Sequence, residues 1–190
     1  MARLMIASDI HGDAETTARL LEQYRKSGAE KLVLLGDLLY HGPRNDLPEN
    51  YAPKKVISLL NEMVIELLNG LKDEILAVRG NCDTEVDQMV LSFPILADYA
   101  YISVDGLSIF ATHGHNFNTE KRPPLRQGEI LLHGHTHVPV AEPFGDGNYY
   151  VNPGSVSIPK ENSQKSYILY ENRRFSFRTL EGEEYKSFEA

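Results

Sequence analysis

Thiols are scarce in this 190-residue chain, and positive charge is in deficit. A single cysteine, Cys82, excludes internal disulfides and a zinc site built on thiolates. Lysine and arginine number 19 against 27 aspartates and glutamates, a net charge of −8. A protein whose main work is to coat nucleic acid carries the opposite balance. A nuclease whose positive charge arrives as metal is still compatible with it. No apolar run approaches the ~18 residues of a membrane helix. The N-terminal segment goes almost at once into a strand-like Leu4–Ser8, without the layout of a signal peptide. At 42% hydrophobic and 24% charged residues, the expectation is one cytoplasmic globular domain over residues 1–190, long enough to bury its own core.

Histidine is distributed unevenly. Of the seven, none lies between His41 and His113 and none follows His137. Five fall in two tight clusters, His113/His115 and His133/His135/His137, and the other two, His11 and His41, each follow a short apolar segment that ends in aspartate.

Periodicity divides the chain into two styles. Arg3–Ser8, Lys31–Leu35 and Glu74–Val78 are short apolar runs that read as strands. Between the first two, Asp13 is placed to cap a helix reaching about Lys26, with Leu20, Leu21 and Tyr24 inward and Gly28 beyond its end. A second helix starts at Pro53, with Val56, Leu60, Met63, Leu67 and Leu71 at steps of three or four. After residue 100 the pattern turns to strands: Ala100–Val104 and Leu107–Thr112 around the hairpin signal Asp105-Gly106, then Glu129–Leu132, Tyr149–Val151, and a closing hairpin of Ser166–Tyr170 and Arg174–Leu180. An α/β architecture follows, with two β-sheets packed face to face in a sandwich flanked by α-helices.

Strand after strand runs into a loop bearing Asp, Asn or His, where α/β folds bind ligands. The five segments are Asp9-x-His11, Gly36-Asp37, Gly80-Asn81, His113-Gly-His115 and Gly134-His135-x-His137. Any one alone is an ordinary polar loop. Together they offer carboxylate, amide and imidazole donors, a mixture suited to Mn, Fe, Co, Ni or Zn. Glycines beside the donors are expected to let the backbone turn sharply and approach closely.

This ordered set resembles the calcineurin-like metallophosphoesterase superfamily. The small size and the segment Gly80-Asn81-Cys82-Asp83 resemble its compact bacterial and archaeal phosphodiesterases. The matching segments span Asp9 to Ser155. The resemblance implies a two-metal site in which Asp9, His11 and His137 hold one ion, Asn81, His113 and His135 hold the other, and Asp37 bridges them. It implies Mn²⁺ as the first choice of metal, with Ni²⁺, Co²⁺, Fe²⁺ or Zn²⁺ as alternatives. The implied reaction is hydrolysis of a small phosphodiester, with a metal-bridging hydroxide attacking phosphorus in line. A nuclease or cyclic-nucleotide phosphodiesterase would use the same site. A non-catalytic protein-binding scaffold of the same fold is the alternative from a different class. No membrane partner is expected, nucleic acid is not favoured, and a homo-oligomer is compatible with the sequence.

Several residues fall outside that set. His115 is a candidate donor to a phosphate oxygen, with a structural role as the alternative. His133 reads as supporting or structural, and His41 as a solvated loop residue or a substrate contact. The basic stretch Lys121, Arg122 and Arg126 reads as a solvated face. Cys82 stands where many members of the superfamily carry a histidine thought to protonate the leaving group; here it reads as a small buried apolar residue, which puts that acid in doubt.

Overall fold

Alternation along the first strand sends its side chains to two different cores. The computed structural model describes residues 2–67 and 74–190, the side chains of 63–67 excepted. In β1 (Arg3–Ala7), Met5 and Ala7 face one way, and Leu4 and Ile6 face the other. Strand β2 (Lys31–Leu34) repeats this, with Leu32 and Leu34 on the first side and Val33 on the second. A strand buried on both faces needs a layer on each.

Helices supply one layer. Helix α1 (Ala14–Ser27) is capped by Asp13, whose side chain accepts from Thr16 N–H at 3.0 Å, and it ends at Gly28 in the left-handed region. Its Leu20, Leu21 and Tyr24 are buried, as their spacing predicts. Helix α2 (Pro53–Leu67) does start at Pro53 and buries Val56 and Leu60 beside them. Met63, Leu67 and Leu71 of the expected apolar stripe fall outside the described side chains. None of the described helices is long and apolar enough to cross a membrane.

A second sheet supplies the other layer. The first sheet runs β11-β10-β9-β1-β2-β3, with β1, β2 and β3 (Ile75–Ala77) parallel and β9 (Ser166–Glu171), β10 (Arg174–Thr179) and β11 (Glu184–Glu189) antiparallel. The second runs β4-β5-β6-β8-β7, from β4 (Tyr99–Val104), β5 (Leu107–Thr112), β6 (Ile130–His133), β8 (Tyr149–Pro153) and β7 (Pro139–Pro143). Between the sheets, Ile6, Val33, Ile168, Tyr170, Phe175 and Phe177 meet Ile109, Ala111, Ile130, Leu132 and Val151. Each large side chain buried there contributes about 1.5–3 kcal/mol. Both long helices lie against the first sheet. On the second sheet, Tyr99 stacks on Phe110 with ring centroids 5.0 Å apart and remains half exposed.

Three elements gave no clear signal in the sequence. Helix α3 (Glu85–Val90) is six residues long and buries none of them, so its apolar Val86, Met89 and Val90 stay exposed and mark no core-facing stripe. Strand β7 begins and ends in proline, which suits an edge strand but reads as a loop. Strand β11 is an edge strand rich in charge, which discourages pairing with another chain.

The two cores and the cap differ in how much each protects the fold. Asp13→Ala should cost about 1 kcal/mol and Phe177→Ala about 3–5 kcal/mol, read from urea midpoints at equal m-value. A larger loss for Asp13→Ala would show that the inter-sheet core is not the main support.

Candidate metal centre

The parallel pairing of β1 and β2 continues past the strand ends and so sets the first loops side by side. Asp9 N–H donates to Gly36 O (3.1 Å), His11 N–H to Asp37 O (2.9 Å) and Gly12 N–H to Leu38 O (2.9 Å). From the second sheet, the parallel strands β5 and β6 run into His113-Gly114-His115 and Gly134-His135-Thr136-His137. A bridge joins the sheets at this end. Val156 N–H donates to Ser8 O (3.1 Å), and the hydroxyls of Ser155 and Ser157 both donate to the Asp9 carbonyl (2.8 and 3.0 Å).

The turning is done largely by the donor residues themselves. Asp9, His11, Asp37, His135 and His137 have φ of 57°, 49°, 55°, 67° and 63°. Asp and His tolerate the left-handed region better than most residues, at a cost of order 1 kcal/mol each. Of the neighbouring glycines, Gly36 and Gly114 do turn, with φ of 92° and 118°. Gly80 and Gly134 instead supply room. A Cβ on Gly80 would overlap Asp37 Oδ1 and its backbone nitrogen, and one on Gly134 would overlap Ser8 Oγ.

The seven residues of the expected ligand set converge. Ligand atoms of Asp9, His11 and His137 lie within 4.8 Å of one another, and so do those of Asp37, His113 and His135. His113 Nε2 is 3.1 Å from Asn81 Oδ1, 3.1 Å from His135 Nδ1 and 3.4 Å from Asp37 Oδ2. The same Asp37 oxygen is 3.8 Å from His11 Nε2, so it stands within reach of both groups.

The arrangement of protons fits a cation. The Nδ1 atoms of His11, His113 and His137 face the carbonyl oxygens of Tyr40 (2.8 Å), Leu35 (2.7 Å) and Ile158 (2.6 Å). Only an N–H can satisfy a carbonyl, so in the neutral rings each Nε2 turns a lone pair to the centre. His11 Nε2 and His137 Nε2 lie 3.3 Å apart, and Asp9 Oδ1 is buried with no hydrogen-bond partner. Three acceptors facing one point suit a positive charge.

The local field agrees. Burial opposes the ionised form of Asp9, yet His11 and His137 beside it hold it well below the usual carboxylate range. Asp37 is lowered in the same way, with His113 prevailing over burial. Burial also opposes the charged His113, but Asp37 and then Asp9 push it up to about 9. His135 goes the other way, pushed down to about 4 by burial and then by His113. The centre thus favours positive charge close to the carboxylates and a neutral imidazole at its rim.

Asp83 orders the loops around Asp37. Its buried carboxylate accepts from Asp37 N–H (2.9 Å), Leu38 N–H (2.9 Å) and Gly80 N–H (2.8 Å), which joins the loops after β2 and β3. Cys82 is buried too, and burial followed by Asp37 pushes its thiol up, so the thiol is neutral. Its Sγ nevertheless groups with ligand atoms of His11 and Asp37 within 4.8 Å.

The remaining histidines spread outward. His115 has its ring 5.4 Å from that of His113, and its Nδ1 is buried without a partner. His133 stacks on Tyr150 at 4.3 Å, and burial pushes it down to about 4. His41 is packed edge-on between Tyr40 and Tyr51 rather than simply solvated. In the basic stretch, Lys121 and Arg122 lie over Phe117 and Phe144.

A cleft of about 250 Å³ opens on the centre, lined by Asp37, Asn81, His135 and His137 among others. Arg44 and Lys160 also line it, and no pattern in the sequence links them. The role of Asp83 could have been suspected from its place directly after Asn81-Cys82. The two serines after Pro153 offered no comparable hint.

Comparison with known proteins follows the same geometry. A family model described as the calcineurin-like phosphoesterase superfamily domain matches residues 2–174. The chain is 51% identical to phosphodiesterase YfcE of Escherichia coli strain K12 over 172 residues, covering 90% of this chain and 89% of the relative. The solved structure of YfcE, a phosphoesterase from E. coli, superposes with a TM-score of 0.89 at 47% identity and covers 98% of each chain. Vacuolar protein sorting 29 from Cryptosporidium parvum shares the fold, with a TM-score of 0.60 at 16% identity over 100% of this chain and 98% of that one.

The tight approach at Gly80 makes a prediction about the centre. Gly80→Ala should displace Asp37 and lower bound Mn²⁺ by more than about tenfold in affinity, measured by calorimetric titration, with the far-ultraviolet dichroism unchanged. Gly128, where nothing lies within 4 Å of an added Cβ, is the control for a Gly→Ala change without such a contact. Equal Mn²⁺ affinity in Gly80→Ala and Gly128→Ala would show that the loop contact does not shape the centre.

Proposed function

The chain belongs to the calcineurin-like phosphoesterase superfamily, and from that premise we propose that it is a two-metal phosphodiesterase acting on small soluble phosphodiesters in the cytoplasm. Asp9, His11 and His137 hold one divalent cation, and Asn81, His113 and His135 hold the other. One observation carries the reading. Asp37 Oδ2 lies 3.8 Å from a nitrogen of the first group and 3.4 Å from one of the second, as a bridging carboxylate requires.

When bound, a pair of divalent cations supplies charge for the phosphate oxygens and a nucleophile at neutral pH. The chain's own residues do the rest. The carbonyls of Tyr40, Leu35 and Ile158 orient three of the imidazoles, and Asp83 holds the loop of Asp37 in place. His115 stands beside His113, held neutral by burial and then by His113 itself, with an N–H to offer a phosphate oxygen. Mn²⁺ is the first choice on family likeness, and Ni²⁺, Co²⁺, Fe²⁺ or Zn²⁺ suit the same donors. Among the described residues lining the cleft there is no Phe, Tyr or Trp on which a base could stack, so nucleic acid is the weaker reading.

Chelation should abolish turnover of bis(p-nitrophenyl) phosphate, and Mn²⁺ should restore it. In Asp37→Asn, metal content and rate should fall together, by more than about tenfold. A rate equal to that of Mn²⁺ in buffer, across several diesters, would leave the scaffold reading instead.

A second expectation concerns the leaving group. An ordinary thiol has a pKa of about 8.5 against about 6.5 for imidazole, so Cys82 is the poorer proton donor. A positioned acid contributes about 10²–10⁴-fold, and without one, aryl diesters should be cleaved well and alkyl diesters poorly. Cys82→Ala should keep aryl diester turnover within about tenfold, or about 1.4 kcal/mol of barrier. Cys82→His should flatten the dependence of rate on leaving-group pKa. Collapse of aryl turnover in a folded, metal-replete Cys82→Ala would show that the thiol is needed.

A further inference from the structure

We propose that the cleft beside the metal centre selects phosphodiesters that carry a second anionic group, a carboxylate or phosphate, on one alcohol arm, and that Arg44 and Lys160 recognise it. The inference rests on the two-metal reading above and adds the substrate class.

Two cations line one small cleft in a chain of net charge −8. Neither side chain has an ion-pair or hydrogen-bond partner among the described residues, whereas Arg3, Arg19, Lys26, Arg174 and Arg178 are all paired with glutamates. They come from distant parts of the chain, and each is tied to the centre. Lys160 N–H donates to the carbonyl of His137 at 3.2 Å. Arg44 lies two residues after Gly42, on which an added Cβ would sit 3.1 Å from Cys82 Sγ. Among the described residues of the lining, Asp37 is the only carboxylate.

Charge balance separates these cations from the reacting phosphate. Two divalent ions with Asp9 and Asp37 leave about +2. A nucleophile and a phosphodiester, one negative charge each, cancel that amount. Arg44 and Lys160 are then +2 in excess within a cleft walled by low-dielectric protein, where such charge attracts anions. Size restricts the arm. The volume of about 250 Å³ lies below the range of about 300–1,000 Å³ for pockets that take drug-sized ligands. A short acidic arm fits both the charge and the space.

The test compares ethyl p-nitrophenyl phosphate with 2-carboxyethyl p-nitrophenyl phosphate on the Mn²⁺-loaded protein. The two share a leaving group and differ in one charge on the remaining arm. The carboxyethyl ester should be favoured in kcat/KM by about tenfold at low salt, an advantage that shrinks as ionic strength rises. Arg44→Ala and Lys160→Ala should each reduce that ratio by about two- to fivefold, the range expected for one exposed ion pair. Calorimetric binding of the inert pair 3-phosphonopropionate and propylphosphonate should show the same order. Hydrolysis of both esters with no preference would overturn the inference while the phosphodiesterase reading stands. Variants that slow both esters equally would also overturn it, because the cations would then serve the reacting phosphate. No hydrolysis of either ester above the Mn²⁺ blank would instead remove the reading on which it rests.

Discussion

Asp9 and Asp37 bring two buried carboxylates to one point in this protein, and a buried anion persists only where cations and hydrogen bonds surround it. The loops around them are organised to meet that demand. Asp37 Oδ1 accepts from Cys82 N–H at 2.8 Å, Asp9 Oδ2 accepts from His135 N–H at 3.0 Å, and the imidazoles of His11, His113 and His137 approach the free oxygens. The left-handed backbone at five of the donor residues is strain accepted for the same purpose. Remove the positive charge from this centre and three lone pairs and two carboxylates would face one another without compensation.

The sandwich is what lets loops so distant in sequence meet there. Parallel strands β1, β2 and β3 deliver their ends to one edge of the first sheet, and parallel β5 and β6 deliver theirs to the adjoining edge of the second. The apolar layer between the sheets sets their separation, and the Ser155 and Ser157 hydroxyls on the Asp9 carbonyl close the gap at the end where the donor loops meet. Packing far from the chemistry therefore sets distances within it. A shift of one sheet against the other would separate Asp9 and His11 from His137.

Charge is partitioned rather than spread evenly. The chain is acidic, yet its cleft sets beside a cation-seeking centre two basic side chains that have no partner among the described residues. Many other basic residues are used in local pairs with glutamate or over aromatic rings, as Arg122 is over Phe144. Two basic side chains thus lie at the cleft of a chain whose net charge is −8.

Much of this was legible in the sequence because the signals are local. Helix caps at Asp13, Pro53 and Gly28, the Asp105-Gly106 hairpin and the alternation of apolar residues are properties of neighbours along the chain. The donor residues were legible for the same reason, since each sits where an apolar run stops. Short edge strands and α3 were not, because prolines, charges and exposed apolar residues there answer to solvent and to sheet edges rather than to a buried face. The glycines were read as allowing sharp turns and close approach, but what Gly80 and Gly134 make room for, the atoms of Asp37 and Ser8, are contacts that span many residues. By itself, then, the sequence determined most of the elements, the candidate donors and the family. Which nitrogen of each imidazole faces the centre, how Asp83 binds two loops together, and the meeting of Arg44 with Lys160 in one cleft were decided only by tertiary structure, because each depends on partners brought together by the packing of two sheets.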